Sequence, residues 1–484
     1  MDNELQALLD QLKEKEAQGS ALDINGPYRK ELMGEVLAYT NGFLDTLEER
    51  KAYESKGYDR TEADHGFNVK EAGTGIGEVL DFIGNRVDHT GLNPASGGHL
   101  GYIPGGGIPA SALGDYLAAI TNRYAGNFYA SPGAVRMENA MVHWTGKLVG
   151  YGKGFGGNLT SGGSIANLIA ITTARTAKRL KGKDLDRNVV YMTSHGHHSL
   201  AKGLNIACLG ECITREIALD SNYRMDVAAL RQQVAMDIQQ GLKPFLLIAN
   251  AGSTDTGAVD PIAAMADVAG AHDMWFHVDA AYGGFFLLTE EGRARLAGIE
   301  RADSVVLDPH KGLFLPYGIG IVLVKHIDHL LKANSYEANY MQDAKEQELE
   351  HSPAELSPEL SKHFRGLRMW LPLKLHGIAP FRACLEEKLL LARYFRYQAK
   401  ALGFEVGPEP DLSVVIFRYV PPQGDADAFN RALAHAIQQD GRVFISTTVL
   451  DGVFVLRFAV LSFRTHRKET DVLLEQMREF VRKN

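Results

Sequence analysis

Between about residues 96 and 365 the chain alternates short apolar, β-rich runs with helical stretches, and this alternation constrains the fold more than any other feature. The runs fall at residues 189–192, 245–249, 275–278, 304–307 and 320–324. Helical periodicity occupies residues 165–180 and 261–271 between them. Strands apolar on both faces and joined by helices predict a mostly parallel sheet covered on both sides. In such a sheet ligands gather beyond the carboxyl ends of the strands.

The chain has 484 residues, beyond the size at which one hydrophobic core stops growing, so at least two domains are expected. Residues 1–95 read as a helical arm: Leu5, Leu8, Leu9 and Leu12 recur at helical spacing, but the segment can hardly make a core alone. Residues 96–365 form the expected large α/β domain, with polar residues 335–363 as a mobile loop. Residues 366–484 read as a small α+β domain, with strands at 414–417 and 454–458 and a last helix from about Glu469.

A net charge of −8 and the lack of a long Lys/Arg run argue against a nucleic-acid groove. The three cysteines, Cys208, Cys212 and Cys384, suit a reducing compartment better than a disulfide framework. The acidic amino terminus does not have the pattern of a signal peptide, and no apolar run is long enough to cross a bilayer. The expected setting is the cytoplasm, without membrane or nucleic-acid partners.

Asp279 ends the run at 275–278, and Lys311 follows the run at 304–307 by a few residues. An amine and a carboxylate so placed are what pyridoxal phosphate requires: the amine holds the aldehyde carbon as a Schiff base, and the carboxylate keeps the pyridine nitrogen protonated. Thr160-Ser161-Gly162-Gly163-Ser164 opens a helix after what reads as a short loop, where backbone N–H groups can cradle a phosphate. By itself that motif is no more than a turn and cap. His195, His197 and His198 follow another strand; they suggest either a metal or an imidazole laid on a flat ring, and no nearby carboxylate or cysteine completes a metal set. No metal site is expected. Gly73-Thr74-Gly75-Ile76-Gly77 follows no strand and reads as a plain turn.

Together these motifs resemble the group II pyridoxal-phosphate-dependent amino-acid decarboxylases, the family of aromatic-L-amino-acid and glutamate decarboxylases. The resemblance runs from about Gly98 to the carboxyl end. It includes Ser131-Pro132 with Glu138, Ser161 to Ser164 with Asn167, His198-Ser199, residues 277–282, Pro309-His310-Lys311 and residues 364–370. It implies fold type I, and a homodimer with its active site at the interface. It further implies decarboxylation of an L-amino acid, aromatic by preference, to an amine and carbon dioxide. Lys311 would be the Schiff-base lysine and Asp279 the partner of the ring nitrogen. Ala281 and His198 would cover the two ring faces, and Thr254 would lie beside the ring. Gly163, Ser164 and His310 would hold the phosphate. The implied catalytic residues are Lys311, His198 and Asp279.

Two departures stand out. The family's mobile-loop tyrosine, which protonates Cα, has no counterpart near Ser352-Pro353-Ala354; the nearest candidates are Tyr336, Tyr340 and His351. His99 is followed by Leu100, where the family usually has proline, which predicts a different side-chain pocket. The alternative outcomes are therefore an aldehyde synthase or a carbon–carbon lyase on the same scaffold. A non-catalytic cofactor-binding scaffold is disfavoured by the intact lysine, aspartate and histidine.

Overall fold

The computed structural model describes residues 3–55, 67–335 and 350–484. The chain divides into two compact units, Met1–Asn93 and Pro94–Asn484. In the first, α1 (Asn3–Gly19), α2 (Gly26–Asp45) and α3 (Ile76–Arg86) bury none of their residues, and Leu5, Leu8, Leu9 and Leu12 lie exposed along α1. Asn25 caps α2 by accepting the Tyr28 N–H at 3.0 Å. Two short strands, β1 (Tyr53–Glu54) and β2 (Gly91–Leu92), pair antiparallel. Gly75 merely precedes α3, as the plain-turn reading of its motif expects.

The second unit begins with β3 (His99–Leu100), α4 (Pro109–Thr121), α5 (Pro132–Val149), β4 (Gly156–Thr160) and α6 (Gly163–Ala177). It continues through β5 (Asn188–Met192), α7 (His198–Ile206), β6 (Ile213–Glu216), α8 (Val227–Gln239), β7 (Lys243–Asn250), α9 (Ile262–Ala271) and β8 (Trp275–Asp279). Then come α10 (Glu290–Arg295), β9 (Ser304–Leu307), α11 (Pro309–Gly312), β10 (Gly320–Val324) and α12 (Ile327–Asn334). After the undescribed residues 336–349 follow α13 (Arg365–His376), α14 (Ala379–Ala401), β11 (Glu405–Val406) and β12 (Val414–Arg418). The chain closes with α15 (Ala426–Asp440), β13 (Phe444–Leu450), β14 (Val453–Ala459) and α16 (Arg467–Lys483).

The larger sheet has seven strands in the order β4-β10-β9-β8-β7-β5-β6; β10 runs antiparallel to its neighbours and the rest are parallel. Side chains alternate between two cores, as strand period dictates. Leu247, Val278, Val305 and Leu323 join α5, α8 and α9 on one face, whereas Leu246, Ile248, Val306 and Val322 join α6, α7 and α12 on the other. A second sheet, β11-β12-β14-β13-β3, packs on α14, α15 and α16 around Phe395, Phe417 and Phe458.

One expectation is corrected. The stretch before Ser161 is the edge strand β4 and not a loop, with all five residues buried. Its glycines admit close neighbours: a Cβ on Gly157 would lie 2.3 Å from the Val322 carbonyl oxygen. Residues 336–349, with Tyr336 and Tyr340, fall outside the described part of the expected mobile loop. Residues 350–363 of that segment make buried hydrogen bonds to the rest of the unit. The Ser352 hydroxyl accepts the Phe128 N–H at 2.9 Å, and buried Lys362 donates to Glu138 at 2.8 Å and to Asn158 at 2.7 Å. Polar residues can be tied down when buried partners replace water.

Candidate active site

Gly163, Ser164, Thr254, Asp279, Ala281, His310 and Lys311 line one cavity of about 490 Å³, and His198 lines it too. Lys311 sits on α11, a single turn begun by Pro309, and its Nζ lies 3.1 Å from Asp308 Oδ2. Asp308 is buried, and its Oδ1 has no hydrogen-bond partner among the described residues. A Cβ on Gly163 would stand 2.8 Å from Asp308 Oδ2, so the glycine loop rests directly against the lysine turn. His310 Nδ1 donates to the Ile319 carbonyl at 2.5 Å, and burial holds the imidazole below its ordinary pKa.

Helix α6 starts without a side-chain cap, and Gly163, Ser164 and Ile165 of its first turn line the cavity at the positive end of the helix dipole. Gly162 adopts φ 152° and ψ 174°, a region open essentially to glycine alone. That conformation turns the chain from β4 into α6.

Asp279, at the end of β8, accepts the Ala281 N–H at 3.1 Å and Asn167 Nδ2 at 2.9 Å. Behind it lies a buried chain of hydrogen bonds. Trp275 Nε1 donates to the Ser304 hydroxyl at 2.9 Å, and that hydroxyl donates to His277 Nδ1 at 2.9 Å. His277 Nε2 then donates to Asn167 Oδ1 at 2.9 Å, leaving the Asn167 amide to face Asp279 and Ser199. This direction requires a neutral imidazole, and burial pushes the His277 pKa down to about 4. The network fixes the Asp279 carboxyl from behind.

The three histidines separate. His195 packs on Tyr223, with ring centroids 5.9 Å apart, and is not part of the cavity lining. His198, expected to cover the ring, is exposed along one flank. Its neighbour His197 is the more enclosed: burial lowers its pKa, Asp279 raises it, and His198, Lys311 and Asp308 also act on it. His197 Nδ1 accepts the Ser199 N–H at 3.2 Å, which caps α7 and sets the ring's orientation. Among the described residues no group of histidine, cysteine and acidic side chains has metal-site geometry. His351 is exposed and absent from the lining, and its carbonyl accepts Asn139 Nδ2 at 3.2 Å.

Sequence reasoning gave no role to Asp308 or Arg457, which also line the cavity, as do Tyr102 and Ile103 of the segment after His99 in which a different side-chain pocket was expected. Arg457 is buried and donates to the Asp255 carbonyl at 2.8 Å, to the Thr254 carbonyl, and to the Ser446 hydroxyl at 3.1 Å. Its signal was an arginine inside an otherwise apolar strand, where a charge needs specific partners.

An uncapped helix N-terminus at α6, a carboxyl group held from behind, and an amine in the same cavity fit the phosphate, ring nitrogen and aldehyde of pyridoxal 5'-phosphate. Fold and site thus define a fold type I enzyme using that cofactor. Residues 100–420 match the pyridoxal-dependent decarboxylase conserved domain. The chain is 34% identical over 408 residues to the aromatic-L-amino-acid decarboxylase of Bacillus atrophaeus, covering 83% of this chain and 85% of that protein. It is 29% identical over 424 residues to phenylacetaldehyde synthase of Arabidopsis thaliana, covering 84% and 86%. The structure of Oryza sativa TDC with PLP and tryptamine superposes with a TM-score of 0.90 at 24% identity, covering 95% of this chain and 99% of that one. The chain belongs to the pyridoxal-dependent decarboxylase family and is a carboxy-lyase acting on amino acids.

Proposed function

We propose that this enzyme decarboxylates an aromatic L-amino acid to the corresponding amine and carbon dioxide. The observation that carries the proposal is the pairing in one cavity of Lys311 with an Asp279 held from behind by Asn167 and His277. When bound, the cofactor supplies the electron sink for cleavage of the Cα–carboxylate bond. Lys311 would hold the cofactor's aldehyde carbon until the substrate amine takes its place. Asp279 would keep a proton on the ring nitrogen, its carboxyl group fixed for that task by the Asn167 and Ala281 N–H groups. Gly163, Ser164 and His310 would hold the phosphate, Thr254 would lie beside the ring, and Ala281 would pack on one ring face. His198 would cover the other face, with His197 beside it in the cavity lining.

Similarity to an aromatic-amino-acid decarboxylase supports the aromatic substrate. A homodimer is supported by α4, which leaves Leu113, Tyr116, Leu117 and Ile120 exposed as one apolar stripe. No described helix is long and apolar enough to cross a membrane, and the cysteines are free, which supports a cytoplasmic setting. Replacing Lys311 by alanine should abolish turnover and the cofactor's visible absorbance; a Lys311→Ala protein with an unchanged spectrum would sink the assignment.

A second reading is an aldehyde synthase that consumes oxygen and releases peroxide. It is favoured by Ser352-Pro353-Ala354 in place of a loop tyrosine and by the similarity to phenylacetaldehyde synthase. Carbon dioxide, amine, aldehyde and peroxide measured from one incubation separate the two. Amine equal to carbon dioxide selects the decarboxylase; aldehyde and peroxide in its place select the synthase.

A further inference from the structure

One wall of the cavity is built from strained backbone. Tyr102 and Ile103 are consecutive, both have φ 56°, and both line the cavity. Left-handed backbone disfavours side chains with a Cβ, most of all a β-branched one, and Pro104 restricts Ile103 further. Such a pair persists only where the surroundings over-determine it.

The surroundings here are the carboxyl-terminal segment on one side and the lysine turn on the other. Arg464 Nη1 donates to the Ala95 carbonyl at 3.2 Å and to the Gly106 carbonyl at 2.6 Å, which joins the two ends of the segment that contains the strained pair. Thr465 Oγ1 donates to the Gly97 carbonyl at 2.7 Å, and the Phe444 N–H to the Gly98 carbonyl at 2.9 Å. The far end of the segment is wedged in place. A Cβ on Gly105 would lie 2.3 Å from the His310 carbonyl oxygen, and one on Gly106 2.5 Å from the Ser462 hydroxyl. The Arg464 guanidinium also lies 4.3 Å from the centroid of the Phe463 ring. A single side chain therefore closes the loop that presents Tyr102 and Ile103 to the substrate space above Lys311.

We propose that Arg464 is a positioning residue that holds Tyr102 and Ile103 in left-handed backbone as the substrate-facing wall of the cavity. The proposal rests on the reading of this cavity as an amino-acid site. Arg464 touches neither Asp279 nor Lys311, so its loss acts on the wall and leaves the cofactor's own contacts in place.

The test uses the cofactor-loaded full chain. Arg464→Met and Arg464→Lys should raise KM for an aromatic amino acid roughly tenfold or more, with kcat changed far less and with unchanged cofactor affinity and visible spectrum. A folded Arg464→Met protein with unaltered KM overturns the proposal. Because that variant can fail to fold, Tyr102→Gly and Tyr102→Ala provide a second measurement. Both remove the same exposed ring, yet the glycine variant should melt higher than the alanine variant, the reverse of their order at an ordinary position. An alanine variant as stable as the glycine variant also overturns it. Melting requires no substrate, so this comparison stands apart from the proposed activity, which fails separately if Lys311→Ala still turns over.

Discussion

At Asn167 one side-chain amide serves two buried neighbours at once, donating to Asp279 and accepting from His277. Replacing Asn167 by alanine leaves both groups short of a partner, at roughly 1–3 kcal/mol for each. Urea denaturation should show that loss, and titration with pyridoxal phosphate should show weaker cofactor binding. Acid sensitivity also belongs to single residues. Burial pushes His99 down to about 4, and its ring nitrogens have no hydrogen-bond partner among the described residues. A histidine with a depressed folded pKa binds its proton more readily in the unfolded chain, so stability falls as pH drops from about 6.5 towards 4. The full effect is about 3 kcal/mol. Asp260, raised to about 6 by burial, tilts the other way: the folded chain gains stability as pH falls through 6. The contribution of His99 is therefore read as a difference. His99→Phe should flatten the stability–pH curve between pH 6.5 and 4 relative to the parent, and parallel curves would exclude this account.

Among the elements, β4 shows why the glycine loop stands where it does. Gly156 and Gly157 let β4 approach β10 and α12 closely, and the chain then turns through Gly162 into α6. Gly157→Ala would push a methyl group against the Val322 carbonyl and displace the loop. Cofactor affinity should fall with little change in the visible spectrum of the fraction that remains loaded. The buried Lys362–Glu138 pair anchors the segment leading into α13. Lys362→Met leaves an uncompensated buried carboxylate at a cost of about 3–5 kcal/mol, and Glu138→Gln in the same chain should recover part of the lost melting temperature. The apolar strands β5, β7, β8, β9 and β10 were legible because a short continuous apolar, β-rich run is local to its own residues. β4 was not, because Gly-Gly-Asn-Leu-Thr has no β-branched run and its burial depends on partners elsewhere in the chain. β6, half-exposed at the opposite sheet edge, was missed for lack of an apolar run.

For the whole molecule, the apolar stripe of α4 is the testable surface. The opposite face of the helix is already occupied, with Ser111 bonded to the Arg368 carbonyl at 2.7 Å. Leu117→Asp together with Ile120→Glu should convert a dimer into monomers in sedimentation and reduce turnover; a dimer that survives would place the interface elsewhere. The sequence by itself determined the alternating architecture, the class of cofactor and the order of Asp279 and Lys311, because strand patterning and short motifs are properties of neighbouring residues. The tertiary structure alone decided which histidine is enclosed, what holds Asp279 from behind, and how residues 350–363 are anchored. It also decided which arginine braces the cavity wall. Each of these depends on contacts between distant parts of the chain: Lys362 and Glu138 are 224 positions apart, and Arg464 and Gly106 are 358. No local pattern encodes such a distance, and only the packed fold supplies the partner.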